Sequence, residues 1–208
     1  PLAMLSFALN YYFFGLDPWW LKATSVALHA FNAVLLYCLF TLCLRLAGES
    51  SRIGVQWVAA LAAAAWAVHP LQASSVLYVV QRMEIGAATG VLLALLCYIK
   101  ARLAIQCGKS WQGWIGWIAA LVLAMVLGLG FKETIVLVPL YTLLLEIFLL
   151  RFRGPCGRRW KFLVWLYGTG LIIAFSAYLA SVVPAYGFVV RFPEREFGTV
   201  DRLLSQGP

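Results

Sequence analysis

The chain has 208 residues, of which 63% are hydrophobic and only 12% are charged, and its mean hydropathy is +0.89. This composition excludes an ordinary soluble domain, and it predicts an all-α integral membrane protein embedded in a lipid bilayer. The net charge of +8 does not point to a nucleic-acid partner, because the basic segments lack nucleic-acid-binding motifs and regularly interleaved aromatic residues.

The first 17 residues are apolar and aromatic but too short for a typical membrane span. Asn10, Tyr11 and Tyr12 interrupt the apolar run, and tyrosine favours the headgroup level of a bilayer. A Gly-Leu-Asp-Pro turn at 15–18 then marks the start of a new helix. We therefore predict an interfacial or re-entrant helix over residues 1–17.

Six longer apolar runs follow, each close to the length that a spanning helix needs. The segment after the last of them is polar enough to lie outside the membrane. The predicted architecture is a polytopic helical bundle of about six transmembrane helices plus one interfacial helix. The bundle occupies residues 18–183, residues 184–208 form an extracytoplasmic loop or tail, and the spans are 18–46, 53–68, 83–103, 111–129, 135–150 and 162–183.

Charged residues divide unevenly between the two sides if successive loops alternate. One side receives ten Lys and Arg residues with two acids, whereas the other receives six bases and six acids. Cytoplasmic loops carry the excess of Lys and Arg in membrane proteins. The ten-base side is therefore predicted to be cytoplasmic, and the isoelectric point of 9.5 reflects topology.

The polar stretch 67–84 separates two of the predicted spans and carries His69, Arg82 and Glu84. Polar groups close to hydrocarbon are costly unless they are paired or hydrated, so this stretch indicates a functional site on the extracytoplasmic side. The alternative is a helix-capping loop with Arg82 and Glu84 in solvent.

Further polar residues fall on the same predicted side. Arginine and lysine there suit a phosphate or pyrophosphate by charge and hydrogen bonding. Each has a plainer alternative: a self-neutralised turn at 132–133, a solvated tail at 191–202, and helix packing for His29, which shares a helix face with Ser25 and Asn32. Two histidines without further ligands do not predict a metal centre. The candidate binding residues are His69, Gln81, Arg82, Glu84, Lys132, Glu133, Arg191 and Arg195.

Several segments, in order, resemble membrane glycosyltransferases of the GT-C type, specifically bacterial relatives of the transmembrane-and-tetratricopeptide-repeat mannosyltransferases. The resemblance covers nearly the whole chain, and the ordered set is more specific than any single piece. The matching segments are 1–11, Phe14-Gly-Leu-Asp-Pro18, Ala27-Leu-His-Ala-Phe-Asn-Ala33, Val68-His-Pro-Leu-Gln72, Val79-Val-Gln-Arg-Met-Glu84, Phe131-Lys-Glu-Thr134 and 195–206.

The resemblance implies transfer of a sugar from a polyprenyl-phosphate donor to a protein or glycan acceptor outside the cytoplasm, in a bacterial inner membrane. The family's usual catalytic carboxylate lies in a first outer loop upstream of the segment that matches Pro1, and Asp17 is not at that motif. The family's tetratricopeptide domain has no counterpart among these residues. The chain is thus expected to be an internal piece or a degenerate copy of such an enzyme, with no catalytic residue assigned.

The mechanism expected on this basis is an inverting transfer in which Arg82 and Lys132 stabilise charge on the leaving phosphate. Glu84 and Glu133 would orient these cations rather than act as bases. A divalent metal ion between carboxylate and phosphate is compatible with this chemistry, but the sequence offers no dedicated ligand set.

Two other functions stay open. The chain could be a non-catalytic membrane module that binds a lipid carrier or assembles with a partner. A transporter is disfavoured, because no pair of Gly- or Pro-broken spans with internal symmetry is evident.

Overall fold

A computed structural model describes residues 2–108, 111–154, 164–165 and 167–170. The elements found within these residues are helical, in agreement with the all-α prediction. The α-helices are α1 (Leu2–Phe14), α2 (Pro18–Leu46), α3 (Arg52–Ala67), α4 (Pro70–Leu77), α5 (Arg82–Gln106), α6 (Trp111–Phe131) and α7 (Val138–Leu145). Two 3₁₀ turns, Val79–Gln81 and Glu133–Leu137, precede α5 and α7, and a π-helical turn, Glu146–Leu150, follows α7.

Four helical segments in the described residues are long and apolar enough to cross a membrane: Pro18–Leu46, Val79–Gln106, Trp114–Phe131 and Glu133–Leu150. The number becomes five if α3 and α4, which meet at a bend of 58°, together form one broken span. Most of the span predicted at 162–183 lies outside the described residues, as does the predicted tail 184–208. The count of about six is therefore not confirmed, and the placement of 1–17 at the membrane surface stays a prediction.

The chain divides into two compact units, Pro1–Trp160 and Lys161–Pro208. The helices α1 to α7 all belong to the first unit. In the second unit, the hydroxyl of Thr169 donates a hydrogen bond of 2.8 Å to the carbonyl of Trp165, one helical turn earlier.

Side-chain caps explain where α2, α3 and α4 begin. Asp17 accepts a hydrogen bond of 2.9 Å from the amide of Trp19, and Ser51 accepts one of 3.1 Å from Gly54. His69 caps α4, since its Nδ1 accepts from the amide of Leu71 at 3.2 Å. These contacts satisfy amides that lack partners within the first turn of each helix.

The bend between α3 and α4 follows from the His-Pro pair at 69–70. Proline has no amide hydrogen and disfavours helical geometry in the residue before it. His69 accordingly takes an extended backbone conformation, with φ −63° and ψ 133°, and Pro70 opens the next helix. The sequence places the break correctly, but α4 itself was expected to be part of a loop.

Small residues bring α5 and α6 into close contact. Gly86 and Gly90 are buried on α5. From α6, the ring of Phe131 packs on Gly86 and Gly128 faces Gly90. A Cβ atom added to Gly90 would lie 2.7 Å from the Cα of Gly128, closer than packed atoms approach. Membrane helices often associate through such small-xxx-small patterns because backbone packing replaces the hydrophobic effect there. This interface was missed at the sequence level although the four-residue spacing of the glycines could have signalled it.

A core of leucine and isoleucine side chains joins α2 to α5. Its buried members are Leu35, Leu39, Leu92, Leu95 and Ile99. By contrast, large apolar side chains on α6, including Val122, Leu123 and Val126, are more than half exposed. This surface fits a helix that faces lipid on one side.

The end of the bundle that carries the predicted cytoplasmic loops contains a buried ion pair, which we call the Arg102–Glu146 pair. Arg102 Nε contacts Glu146 Oε1, and Tyr98 donates a hydrogen bond of 2.7 Å to the same oxygen. The amide of Phe152 donates to Glu146 Oε2 at 3.0 Å. Charge pairing together with hydrogen bonds allows these groups to be buried.

Candidate functional site

The candidate site lies at the opposite end of the bundle, where the α1–α2, α3–α4–α5 and α6–α7 connections meet. We call this the polar end. Two neighbouring cavities open at the polar end, and one of them extends from it into the bundle. Both are lined by Trp66, Glu84 and Ala88.

The first cavity, the polar pocket, has a volume of about 240 Å³. Six of its eight lining residues carry a group that can form hydrogen bonds, although apolar atoms supply much of the wall, and the indole of Trp66 adds an aromatic surface. Hydrogen-bonding groups beside an aromatic ring suit a polar, uncharged ligand group, and the one carboxylate in the wall, Glu84, is paired with Lys132. The lining residues are His29, Asn32, Trp66, Gln72, Ser75, Glu84, Ile85 and Ala88.

Two of these residues are held by contacts within the bundle. His29 Nε2 donates a hydrogen bond of 3.0 Å to the carbonyl of Ala67 and its ring stacks on Trp66, with 4.9 Å between centroids. The buried side chain of Asn32 donates to the carbonyl of Ile85 at 2.9 Å and accepts from Thr89 at 2.7 Å. His29 therefore has the helix-packing role given above as its plainer alternative, while it also lines the polar pocket.

The second cavity, the apolar groove, has a volume of about 410 Å³ and is mainly apolar. Its α5 wall consists of residues 84, 88, 91, 92 and 95, which recur at helical spacing and so share one face. At 1.5 Å per residue they extend about 16 Å along the helix. The lining residues are Leu36, Leu39, Trp66, Glu84, Ala88, Val91, Leu92, Leu95, Thr134 and Tyr141.

An ion pair joins α5 to the α6–α7 connection beside both cavities. Lys132 Nζ contacts Glu84 Oε1, and both side chains are partly exposed. The hydrogen bond to the Glu84 carboxylate raises the pKa of Lys132, and the negative charges of Glu84 and Glu133 act in the same direction. The two residues were singled out separately at the sequence level, and the structure brings them together across 48 positions.

Arg82 occupies a different place from the other candidates, because its side chain is buried between α1, α2 and α5. Its guanidinium donates to the carbonyls of Ser6 and Leu21 at 3.3 and 2.8 Å and to the side-chain oxygens of Asn10 and Ser25 at 2.8 and 3.4 Å. The ring of Phe7 lies 4.5 Å from the guanidinium carbon. With four acceptors already in place, a structural role is favoured over a phosphate contact.

The remaining predicted residues are dispersed. His69 is exposed and its Nδ1 is used in the α4 cap. Gln81 is partly buried in the 3₁₀ turn, and Glu133 is exposed at the start of the next one. Arg191 and Arg195 lie outside the described residues. Their roles stay predictions.

Several lining residues were not among the sequence candidates. Trp66, Thr134 and Tyr141 lie in spans or at span ends, where single aromatic or hydroxyl side chains are common and give no signal of a site. Ser75 lies in the polar stretch 67–84 but was not a candidate, although its position three residues after Gln72 places both on one face of α4. Within the described part of the chain, no cluster of three or more His, Cys, Asp or Glu residues could hold a metal ion.

Comparison with known proteins gives partial matches to protein O-mannosyl-transferases. The chain is 42% identical over 101 residues to tmtc2 of Xenopus laevis and 36% identical over 100 residues to TMTC2 of Mus musculus. It is 32% identical over 98 residues to TMTC1 of Homo sapiens. Each match covers 47–48% of this chain but only 10–11% of the relative.

The chain thus matches about a tenth of the length of these vertebrate relatives. No family model and no solved structure matches it. The similarity supports the resemblance to the transmembrane mannosyltransferases, while the bacterial affiliation and the status as a fragment stay predictions.

Proposed function

We propose that the chain forms part of a membrane glycosyltransferase that takes its sugar from a polyprenyl-phosphate donor. The observation that carries this proposal is the pairing of a polar pocket with an apolar groove through shared residues. A lipid-linked sugar has the same division into a polar head and a long hydrocarbon chain. The partial similarity to protein O-mannosyl-transferases independently favours sugar transfer.

In this proposal the sugar occupies the polar pocket. Hydroxyl groups need donors and acceptors at several positions, and Gln72, Ser75 and Glu84 supply both kinds. Trp66 offers an apolar face to a sugar ring. The relatives' activity makes mannose and a protein acceptor the first substrates to test.

The first part of the prenyl chain lies along the apolar groove. Leu92 and Leu95 contribute apolar surface from α5, and Leu36 and Leu39 contribute it from α2. Burial of apolar groups in such a site contributes to affinity, and the rest of the chain continues into bilayer hydrocarbon.

The phosphate is placed near Lys132, beside the junction of the two cavities. An ordinary lysine is already charged at neutral pH and the raised pKa of Lys132 favours this form further, so its ammonium can stabilise negative charge on the leaving phosphate. As the bond between the anomeric carbon and the phosphate oxygen breaks, an acceptor hydroxyl oxygen attacks the opposite face and the phosphate carries away the electron pair. The hydroxyl proton passes through water to the departing polyprenyl phosphate, which accounts for every atom of the transfer. Glu84 orients Lys132 in this scheme, and Arg82 anchors α1.

The test is transfer of radiolabelled sugar by the full-length protein in liposomes that contain polyprenyl-phosphate-mannose and a protein acceptor. We expect Lys132→Ala to lower turnover about 100-fold, the usual effect of removing one group that stabilises transition-state charge. The matched control is Lys22→Ala, which removes an exposed lysine from the same end of the bundle. Turnover equal to the wild type in a folded Lys132→Ala protein would contradict the assignment.

A non-catalytic lipid-carrier module is the second candidate function. Glu84 is the one carboxylate among the described residues that line the two cavities, and it is held in an ion pair with Lys132. A carboxylate held in this way is less suited to act as a catalytic base, which favours the non-catalytic module. One measurement, sugar transfer by protein that has bound the lipid-linked sugar, distinguishes the enzyme from the non-catalytic module. A full-length protein that binds the lipid-linked sugar but transfers none of it would support the module and overturn the enzyme.

A further inference from the structure

A third cavity lies at the other end of the bundle, between the end of α2 and the π-helical turn after α7. Its volume is about 330 Å³, which falls within the range of small-molecule sites. The wall combines two arginine residues with apolar residues. The lining residues are Leu46, Ala47, Phe148, Leu149, Arg151 and Arg153.

The backbone that carries the two arginines is fixed in place. Arg151 and Phe152 both take left-handed conformations with φ of 52°, which end the π-helical turn sharply. The amide of Phe152 donates to Glu146, and the carbonyl of Arg153 accepts from Arg102 at 2.9 Å and from Gln106 at 3.1 Å. The Arg102–Glu146 pair therefore holds this turn against α5.

The charges around the cavity favour an anion. Arg151 and Arg153 are both exposed and both line this cavity. The negative end of α2 is offset by Arg45 in its last turn, and Glu49 in the next loop accepts a hydrogen bond from the amide of Ser51. Forked guanidinium groups match the oxygens of a phosphate group.

The apolar part of the wall indicates that the phosphate belongs to a lipid. Phe148 is 72% exposed and Leu46 and Leu149 lie beside the arginines, at the end of helices that cross the bilayer. We propose that this cavity binds the headgroup phosphate of an anionic phospholipid, with the acyl chains against Phe148. Basic pockets between membrane helices bind such headgroups in general.

The experiment is native mass spectrometry of the full chain in detergent, titrated with dioleoylphosphatidylglycerol or dioleoylphosphatidylcholine. We expect the anionic lipid to bind the wild type at least tenfold more tightly than the zwitterionic one. Arg151→Gln with Arg153→Gln should lose about tenfold in affinity for the anionic lipid. The control, Arg52→Gln with Lys100→Gln, removes two exposed charges from the same end without altering the cavity and should change affinity less than twofold.

Two wild-type measurements are independent of how the variants fold. Phosphatidylglycerol should slow tryptic cleavage after Arg151 and Arg153, whereas phosphatidylcholine should not. Millimolar inorganic phosphate should fail to displace the bound lipid. Equal binding of both lipids, equal loss in the control variant, or displacement by inorganic phosphate would overturn the proposal, the last by assigning the cavity to a free anion.

Discussion

Arg82 Nη1 on α5 lies 2.8 Å from Asn10 Oδ1 on α1, although 72 positions separate the two residues in sequence. No carboxylate lies within ion-pairing distance of this buried guanidinium in the part of the chain that the structure describes. Carbonyl, amide and hydroxyl oxygens and the face of the Phe7 ring stabilise its charge instead. The first helix is thereby attached to the bundle through one polar centre.

Replacing Arg82 by Ala should lower the free energy of unfolding by about 3 kcal/mol, because hydrogen bonds to a charged group are lost and buried acceptor atoms are left without a donor. Asn10→Ala should also destabilise the protein, since it removes one acceptor of the buried charge. Thermal unfolding in detergent measures both effects. Lys22→Ala, an exposed control, should leave stability unchanged, and an Arg82→Ala protein as stable as this control would refute the anchoring role.

The Arg102–Glu146 pair should show strong coupling between its two members. Arg102→Met and Glu146→Leu should each lower the free energy of unfolding by about 3–5 kcal/mol, because each leaves a buried charge without its partner. The double variant should lose less than the sum of the two, since it buries no charge at this position. A double-mutant cycle from denaturant unfolding measures the coupling energy. Additive losses would show that the two charges do not stabilise each other.

The contact between α5 and α6 should depend on the size of the residue at position 90. Gly90→Leu should cost about 1–3 kcal/mol or more, because the added atoms would overlap Gly128 and force the helices apart. Gly116→Ala on α6 is the matched control, since a Cβ there meets no atom within 4 Å. That change should be neutral or stabilising by about 0.5–1 kcal/mol, as alanine favours helix more than glycine does. Similar effects at both positions would rule out the close packing.

The particular residues show what sequence reasoning could and could not supply. Apolar length located α2, α5 and α6, the turn at 15–18 located the start of α2, and proline chemistry located the bend at 69–70, because these properties depend on local residues. The partners of Arg82 and Lys132 could not be predicted, since they depend on which helices pack together. Both are basic residues at the end of an apolar run, yet Arg82 is buried among four acceptors and Lys132 is partly exposed beside Glu84.

The Glu84–Lys132 pair has a consequence for pH. The raised pKa of Lys132 means that the pair stabilises the fold below the ordinary lysine pKa and loses this contribution as pH rises through the folded-state value. At pH 9, less of Lys132 is the neutral amine than of an ordinary lysine, so it should react more slowly with an acylating reagent. Glu84→Gln should lower the pKa of Lys132 and speed its labelling, as measured by mass spectrometry.

Labelling of Lys22 and Lys100 in the same sample is the internal control, because both side chains are exposed and neither is paired with Glu84. Their rates should be equal in the wild type and in Glu84→Gln. If Lys132 labelling is unchanged by Glu84→Gln while these controls hold, the carboxylate does not set the pKa of Lys132.

Ala88 offers the sharpest test of the two-cavity site, because its small side chain lines both the polar pocket and the apolar groove. Ala88→Phe should fill the junction and lower affinity for a polyprenyl-phosphate sugar at least tenfold, which corresponds to about 1.4 kcal/mol or more. Ala119→Phe on the exposed face of α6 adds the same group away from both cavities and should bind as the wild type does. Binding is measured by native mass spectrometry with the lipid-linked sugar. Because part of the polar pocket would remain open, a water-soluble sugar phosphate should be affected less than the lipid-linked one, and equal losses for both ligands would place the prenyl chain elsewhere.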